Sequence, residues 1–440
     1  MAILVSRDTR WDGGHEPGCG DQRLAALVGE VIDRRAITTV FQPLVDLETN
    51  GIVGYEALSR GPLGTEVEPP LKLLEGAGLT GRLAEFDWMC ASAACEAALA
   101  AKLHPSMTIF VNIKPSTVSG PCPNDLRPAV HRAQHNLRLV VDMKEDDLTG
   151  DPASLFDAVR AVRDFGWGIS IDGAAADPTA LALLPLVRPD VLKLEFRGGC
   201  TSLYDLARMS DGARVYAEET GATILVQGLE NHEDVMAARL TGATFGQGWH
   251  FGRPGPLPPE RVLPTSVFPF VQCLPEVDRR SPFEILTERT RPTVTEKRFL
   301  APFTHHIEEQ VDTNGPPALL LETFEPGAAQ LPEAQLRLRA MQARAAFLAV
   351  LGTGAEGPAP DGPNSRYATV DPNDPVAGEW NTIVLGPHHA VGVTARPLEA
   401  ASAGESRRYE YAITHDREVI VRAAAALWQR LPPAGLRRPS

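Results

Sequence analysis

Seven polar residues stand at the ends of apolar, strand-like runs in the first 250 residues: Glu56, Asn112, Asp142, Asp172, Lys193, Gln227 and Gln247. Carboxylates, a lysine and amides are the groups that bind hard cations, hold phosphates and move protons. A carboxylate at the end of a buried strand is costly unless a metal, a proton or a basic partner compensates it. Glu56 poses the problem most sharply. It lies in Tyr55-Glu56-Ala57-Leu58-Ser59-Arg60, just after the apolar run from Val40 to Asp46. Either it has a functional partner or it is not buried.

The elements that must position these residues follow from the pattern. Strand-like runs occupy 38–47, 52–58, 107–113, 137–143, 168–172, 190–196, 223–229 and 243–246. Residues 22–35 have helical spacing, and Ala/Leu-rich helical stretches cover 71–102, 124–135, 151–165, 177–186, 202–220 and 231–241. Eight strands with helical crossovers predict a (β/α)8 barrel of the TIM type. In such barrels chemistry sits at the C-terminal strand ends, where the seven residues fall.

Residues 1–21 read as a flexible lead-in, 22–258 as the barrel and the proline-rich 259–280 as a linker. A smaller α/β domain is expected over 281–432, followed by a tail at 433–440. Its predicted elements are a strand at 317–324, a helix at 332–346, a strand pair near 347–351 and 381–394, and a closing helix at 416–430. The stretch 352–379 reads as a loop.

The net charge of −14 excludes a dominant nucleic-acid role, because phosphate backbones need a basic face. No apolar run is long enough to span a bilayer, and the start of the chain carries no signal-peptide pattern. The six cysteines are scattered without metal-knuckle spacing and read as reduced thiols of a cytoplasmic protein.

Taken in order, the barrel motifs resemble the EAL domain, the bacterial family that hydrolyses the second messenger cyclic di-GMP to a linear dinucleotide. They are Phe41-Gln42-Pro43, Glu56-Ala57-Leu58-Ser59-Arg60, Val111-Asn112-Ile113, Asp142-Met143-Lys144-Glu145, Ile171-Asp172-Gly173, Leu192-Lys193-Leu194-Glu195, Val226-Gln227-Gly228 and Gly246-Gln247-Gly248. The resemblance implies two Mg²⁺ or Mn²⁺ ions that bind the scissile phosphate and activate water. By it, Glu56, Asn112, Asp172, Lys193 and Gln247 stand where the family has its Glu, Asn, first Asp, Lys and Gln.

Three positions depart. A family Glu is Asp142, the second Asp of a pair is Gly173, and a further Glu is Gln227. Asp172 to Lys193 is 21 residues and Gln227 to Gln247 is 20, matching the family, so these are true substitutions. Gly173 and Gln227 strike the same half of the site. The resemblance therefore implies at most one cation, held by Glu56, Asn112, Asp142 and Asp172, with no second metal and with Glu56 and Lys193 as vestigial catalytic groups. Asp177 is too far along its loop to replace the lost Asp, and Lys144 shares strand parity with Asp142. Gln42, Arg60, Asp87 and Gln247 are the residues that the resemblance assigns to the nucleotide. The loop thought to couple dimerisation to metal binding has become Ala174-Ala175-Ala176.

Ser281-Pro282-Phe283-Glu284, Asp374 to Asn381 and Val384 to His389 resemble the DICT sensory domain. His305, His306, His388 and His389 read as surface or core histidines, and Trp380 as core. The whole implies a bacterial signalling protein whose catalytically degenerate barrel binds cyclic di-GMP or an unknown protein partner, coupled to a sensor. A homodimer is the family expectation. The alternative is a weakly active phosphodiesterase.

Overall fold

The apolar runs and helical stretches close, in a computed structural model, into an eight-stranded barrel followed by a seven-stranded sheet. The structure describes residues 19–149, 152–174, 178–196, 203–259, 262–270, 278–309, 311, 318–324, 331–353, 364–387, 389–398 and 406–432. Residues 1–18 of the expected lead-in, Asp177, His388 and the 433–440 tail lie outside them.

Helix α1 (Cys19–Asp33) begins inside the expected lead-in and precedes the barrel. The barrel strands are β1 (Thr38–Asp46), β2 (Ile52–Arg60), β3 (Thr108–Asn112), β4 (Arg138–Lys144), β5 (Gly168–Asp172), β6 (Val191–Glu195), β7 (Thr223–Gln227) and β8 (Phe245–Gln247). The helices between them are α2 (Pro70–Leu79), α3 (Leu83–Ala100), α4 (Pro115–Val118), α5 (Arg127–Asn136), α6 (Pro152–Asp164), α7 (Pro178–Val187), α8 (Leu203–Thr220) and α9 (His232–Leu240). The barrel is not uniformly parallel: β1 runs antiparallel to both neighbours, β2 and β8. A tight turn through Asn50, held at φ 56°, joins β1 to β2 and takes the place of a crossover helix. The expected single helix over 71–102 is two, because Gly81 at φ 67° interrupts it.

The interior is layered by strand parity. Leu44, Phe110, Val140, Val191, Leu225 and Phe245 fill its lower part. Two residues farther along the even strands come Glu56, Asp142, Lys193 and Gln247. Two residues beyond Phe110 and Leu225, on β3 and β7, come Asn112 and Gln227. The polar mouth thus sits on an apolar floor.

Within the expected linker 259–280, the described residues 262–270 pack against the barrel. Phe268 is fully buried beneath the floor, with its ring 5.2 Å from Phe110 and 4.0 Å from Phe245. Arg138 on β4 donates to the Phe268 carbonyl at 2.7 Å and stacks its guanidinium on Phe270.

The second sheet has the order β12 (Ser365–Thr369), β11 (Phe347–Gly352), β10 (Leu319–Thr323), β13 (Trp380–Leu385), β14 (Ala390–Pro397), β15 (Arg408–Thr414), β9 (Thr293–Glu296). β10 is parallel to β11, and β13 to β15 form an antiparallel meander. The expected pair 347–351 and 381–394 is therefore corrected. β11 flanks β10, and 381–394 is itself a hairpin. β12 lies in the expected loop 352–379, while β9, β15 and helix α11 (Lys297–Glu309) had no sequence assignment. Helices α11 and α12 (Pro332–Gln342) pack on one face of the sheet through Leu300, Ile307, Leu338 and Met341. Helices α10 (Pro282–Thr287) and α13 (Arg417–Trp428) take the other face, where α7 of the barrel also meets α13 and β10.

The residues that carried the C-terminal resemblance have structural work. Ser281 and Glu284 form a capping box at the start of α10. Arg396 donates to Ser281 and pairs with the buried Glu379 at 2.7 Å. Asn381 donates to Thr323 Oγ1 at 2.9 Å. The motif thus fastens α10 to the sheet. Trp380 sets its ring edge-on to Tyr409, a packing role as expected.

Candidate functional site

The centre of the barrel mouth is an ammonium. Lys193 Nζ, 1% exposed, donates to Asp142 Oδ2 at 2.7 Å and to Glu56 Oε1 at 3.2 Å. Gln247 Nε2 donates to Glu56 Oε2 at 2.6 Å and to Gln42 Oε1 at 3.2 Å. Asn112 Nδ2 approaches Glu56 Oε1 at 3.4 Å. In the neighbouring layer Gln227 Nε2 donates to Asp172 Oδ1 at 2.7 Å. The ladder brings these residues to the same end of the barrel: Asn112 is in register with Asp142, Asp172 with Lys193, and Gln227 with Gln247.

Electrostatics follow from the packing. Burial alone would push the Glu56 carboxyl up, but Lys193, Gln247 and Asn112 outweigh it and hold the group below its ordinary value. Burial works against the Lys193 ammonium, and the charges of Asp142, Glu56 and Asp172 overcome it and raise the lysine. Asp142 is pushed up to about 6, by burial and by repulsion from Asp172 and Glu56, against the pull of Lys193. Its Oδ1 is buried without a hydrogen-bond partner. One ammonium thus serves two buried carboxylates.

The side chains here that could hold a cation are the Glu56, Asp142 and Asp172 carboxylates and the Asn112 amide oxygen. Gly173 brings no side-chain oxygen, and Gln227, whose Nε2 donates to Asp172, brings a neutral amide oxygen in place of a carboxylate. Among the described residues, no group of three or more His, Cys, Asp or Glu is arranged to hold a metal ion. The acids converge on Lys193 instead.

Gly173 has φ 79°, and its N–H donates to the Lys193 carbonyl at 3.2 Å. The carboxylate of Glu145, from the turn after β4, lies against it. A Cβ at residue 173 would meet Glu145 Cδ and Oε2 at 3.0 Å each. Sequence spacing gave no sign of this contact, since 28 positions of chain separate the two residues.

Other expected site residues are placed apart. Lys144 is half-buried in register with Asp172, and the ammonium at the centre belongs to Lys193. Arg60 ends β2, half-buried, with Nη1 donating to the Ser59 carbonyl; burial pulls its pKa down. Gln42 Nε2 donates to the Gly252 carbonyl. Asp87 does not join the cluster. It is buried in the wall, accepting from Thr117 Oγ1 at 2.9 Å and the Lys114 N–H at 3.3 Å, so it fastens α4. Burial pushes its carboxyl up to about 6.

Comparison with known proteins agrees with the barrel. Residues 25–254 of the 440 match the family model described as EAL domain. The chain is 24% identical over 248 residues to the oxygen sensor protein DosP of Escherichia coli, covering 54% of this chain and 30% of that one. It is 24% identical over 250 residues to the probable cyclic di-GMP phosphodiesterase PdeB of the same organism, covering 53% and 45%. The match thus spans less than half the length of either relative. The FimX EAL domain from Pseudomonas aeruginosa bound to c-di-GMP superposes with a TM-score of 0.46 at 19% identity, covering 53% of this chain and 97% of that one.

Proposed function

We infer that this chain, which belongs to the EAL domain family, is a signalling protein whose barrel binds cyclic di-GMP and no longer hydrolyses it. One observation carries the reading. Two positions where a two-metal phosphodiesterase needs acids hold Gly173, which has no side-chain oxygen, and Gln227, a neutral amide whose Nε2 donates to Asp172. In that chemistry the metals polarise the phosphate and generate the nucleophile. Here the barrel supplies a neutralised floor instead. At most one Mg²⁺ or Mn²⁺ is expected, on Glu56, Asn112, Asp142 and Asp172, in competition with Lys193.

Binding rests on the rim. Arg60 is the cation offered to a phosphate, because a guanidinium forms paired hydrogen bonds to phosphate oxygens. Gln42, in register with Glu56, accepts from Gln247 at 3.2 Å, and the two form an amide pair at the mouth. The second α/β domain, read as a DICT-like sensor over 281–432, packs its β10 and α13 on α7 of the barrel, with Thr179 Oγ1 donating to the Ala346 carbonyl at 2.9 Å. That contact supports coupling between stimulus and barrel. No described helix is long and apolar enough to cross a membrane; a cytoplasmic place in the cell is part of the proposal.

Calorimetry with cyclic di-GMP, in EDTA and then in Mn²⁺, tests the reading. Heat of binding in EDTA with no linear dinucleotide formed in Mn²⁺ is expected. Absence of binding would leave the barrel as a protein-interaction surface. Turnover that Glu56→Ala abolishes would make the protein a phosphodiesterase.

A further inference from the structure

The second module contains a charged cluster that the barrel's function does not use. Glu322 lies in Leu319-Leu320-Leu321-Glu322-Thr323, the central and most apolar part of β10, and is 2% exposed. Glu308 on α11 is 1% exposed. Leu320, and with it Glu322 by strand parity, is on the sheet face where Leu300 and Ile307 of α11 pack, and all four carboxylate oxygens of Glu308 and Glu322 are buried there without a hydrogen-bond partner. Arg337 on α12 faces them, with Nε 3.1 Å from Glu308 Oε2 and its guanidinium over the Phe324 ring.

Among the described residues, no second buried cation stands beside the pair. Beside Glu322 in the sheet stand Val350 on β11 and Thr382 on β13, neither of which titrates. On α11 the charged neighbours of Glu308 are His305, itself in contact with the exposed side of Arg337, and Glu309, whose carbonyl accepts from Arg344. His306 is the other titratable residue of that turn. Two carboxylates out of water, buried on one face of the sheet and with one guanidinium between them, cannot both stay ionised at low cost.

We propose that Glu308 and Glu322 share one proton, and that this proton latches α11 and α12 onto the sheet. Glu322 carries it and donates to Glu308, which also pairs with Arg337. When the proton leaves to water, the pair passes from one negative charge to two against a single arginine. The repulsion is relieved by lifting α11 from β10. Burial and mutual repulsion both raise the Glu322 carboxyl, which agrees with this assignment. β10 also packs on α7 of the barrel, so the latch sits on the strand that touches the other module. The inference does not depend on what the barrel binds.

The sign is fixed by linkage. A carboxyl raised in the fold stabilises it most below its unfolded value, and the contribution is lost as pH rises toward its folded value. Hydrogen–deuterium exchange of the full chain, read on peptides of α11 and β10 and corrected for the chemical exchange rate, tests this from pH 5.5 to 8.5. In the unmodified protein the local opening constant should rise by about tenfold per pH unit over part of that range. Glu322→Gln, which keeps the donor and removes the charge, should flatten the profile. Glu308→Gln should do the same and serves if the first variant does not fold. A flat profile in the unmodified chain, or the same slope in the variants, overturns the proposal.

Discussion

The carboxylate of Glu145 lies where a side chain on residue 173 would start, 3.0 Å from the position of a Cβ. A side chain at 173 would therefore press on that carboxylate, and the backbone there has φ 79°, which a glycine accepts freely.

Restoring the acid at 173 should accordingly fail on its own. Gly173→Asp has to displace Glu145 and hold a left-handed residue, a cost of about 1–3 kcal/mol in strain. Gly173→Asp with Gln227→Glu should show a lower melting temperature and no cyclic di-GMP hydrolysis. Adding Glu145→Ala should recover much of the stability. Hydrolysis by the double variant without the third change would show that Glu145 moves aside easily.

Lys193→Met would strip the only ammonium from Glu56 and Asp142. Removing one member of a buried, hydrogen-bonded ion pair costs about 3–5 kcal/mol. The pH dependence has a sign. Asp142 in the fold is pushed up to about 6, above an unfolded value of about 3.9. A raised carboxyl favours the protonated fold, so its contribution is lost as pH rises from about 4 through 6. Without Lys193 the group rises further and the loss extends to higher pH. Thermal melts at pH 5 and pH 8 should show the deficit of the variant growing with pH. An equal deficit at both would mean that the carboxylates find other partners.

Phe268→Ala should open the floor of the barrel. The ring packs between Phe110 and Phe245 with no exposure, and truncating such a residue costs about 3–5 kcal/mol. Urea unfolding should show the midpoint falling with the barrel signal. A change confined to the second module would mean that the segment serves only as a connection.

How much of this was legible in the chain depended on periodicity. Barrel strands such as Thr108–Asn112 and Thr223–Gln227 announce themselves as short apolar runs ending in one polar residue, and the resemblance to the family gave the 21-residue spacing from Asp172 to Lys193 its meaning. Phe268 was hidden because proline-rich surroundings argue for a connector, while burial is decided by a distant floor. β9 and β15 were missed because Thr293–Glu296 and Arg408–Thr414 are half-exposed and polar. Asp87 shows the limit for a site. Its carboxylate accepts from Thr117 and Lys114, partners that only the fold brings near.

Arg60→Ala addresses ligand recognition. The side chain ends β2 four residues after Glu56, half-buried, with Nη1 donating to its own neighbour's carbonyl. Glu68 acts on it as a favourable charge, while burial weakens its hold on the proton. A guanidinium held this way exchanges a weak local bond for a phosphate oxygen at small cost. Charge-assisted hydrogen bonds contribute about 1.5–3 kcal/mol, so truncation should weaken cyclic di-GMP by roughly 10- to 100-fold. Arg60→Lys should recover part of that, since a point charge replaces the two-pronged contact. Calorimetry on both variants, with melts to confirm folding, measures the effect. Unchanged affinity in Arg60→Ala would remove Arg60 from the ligand contacts and move the phosphate elsewhere on the rim.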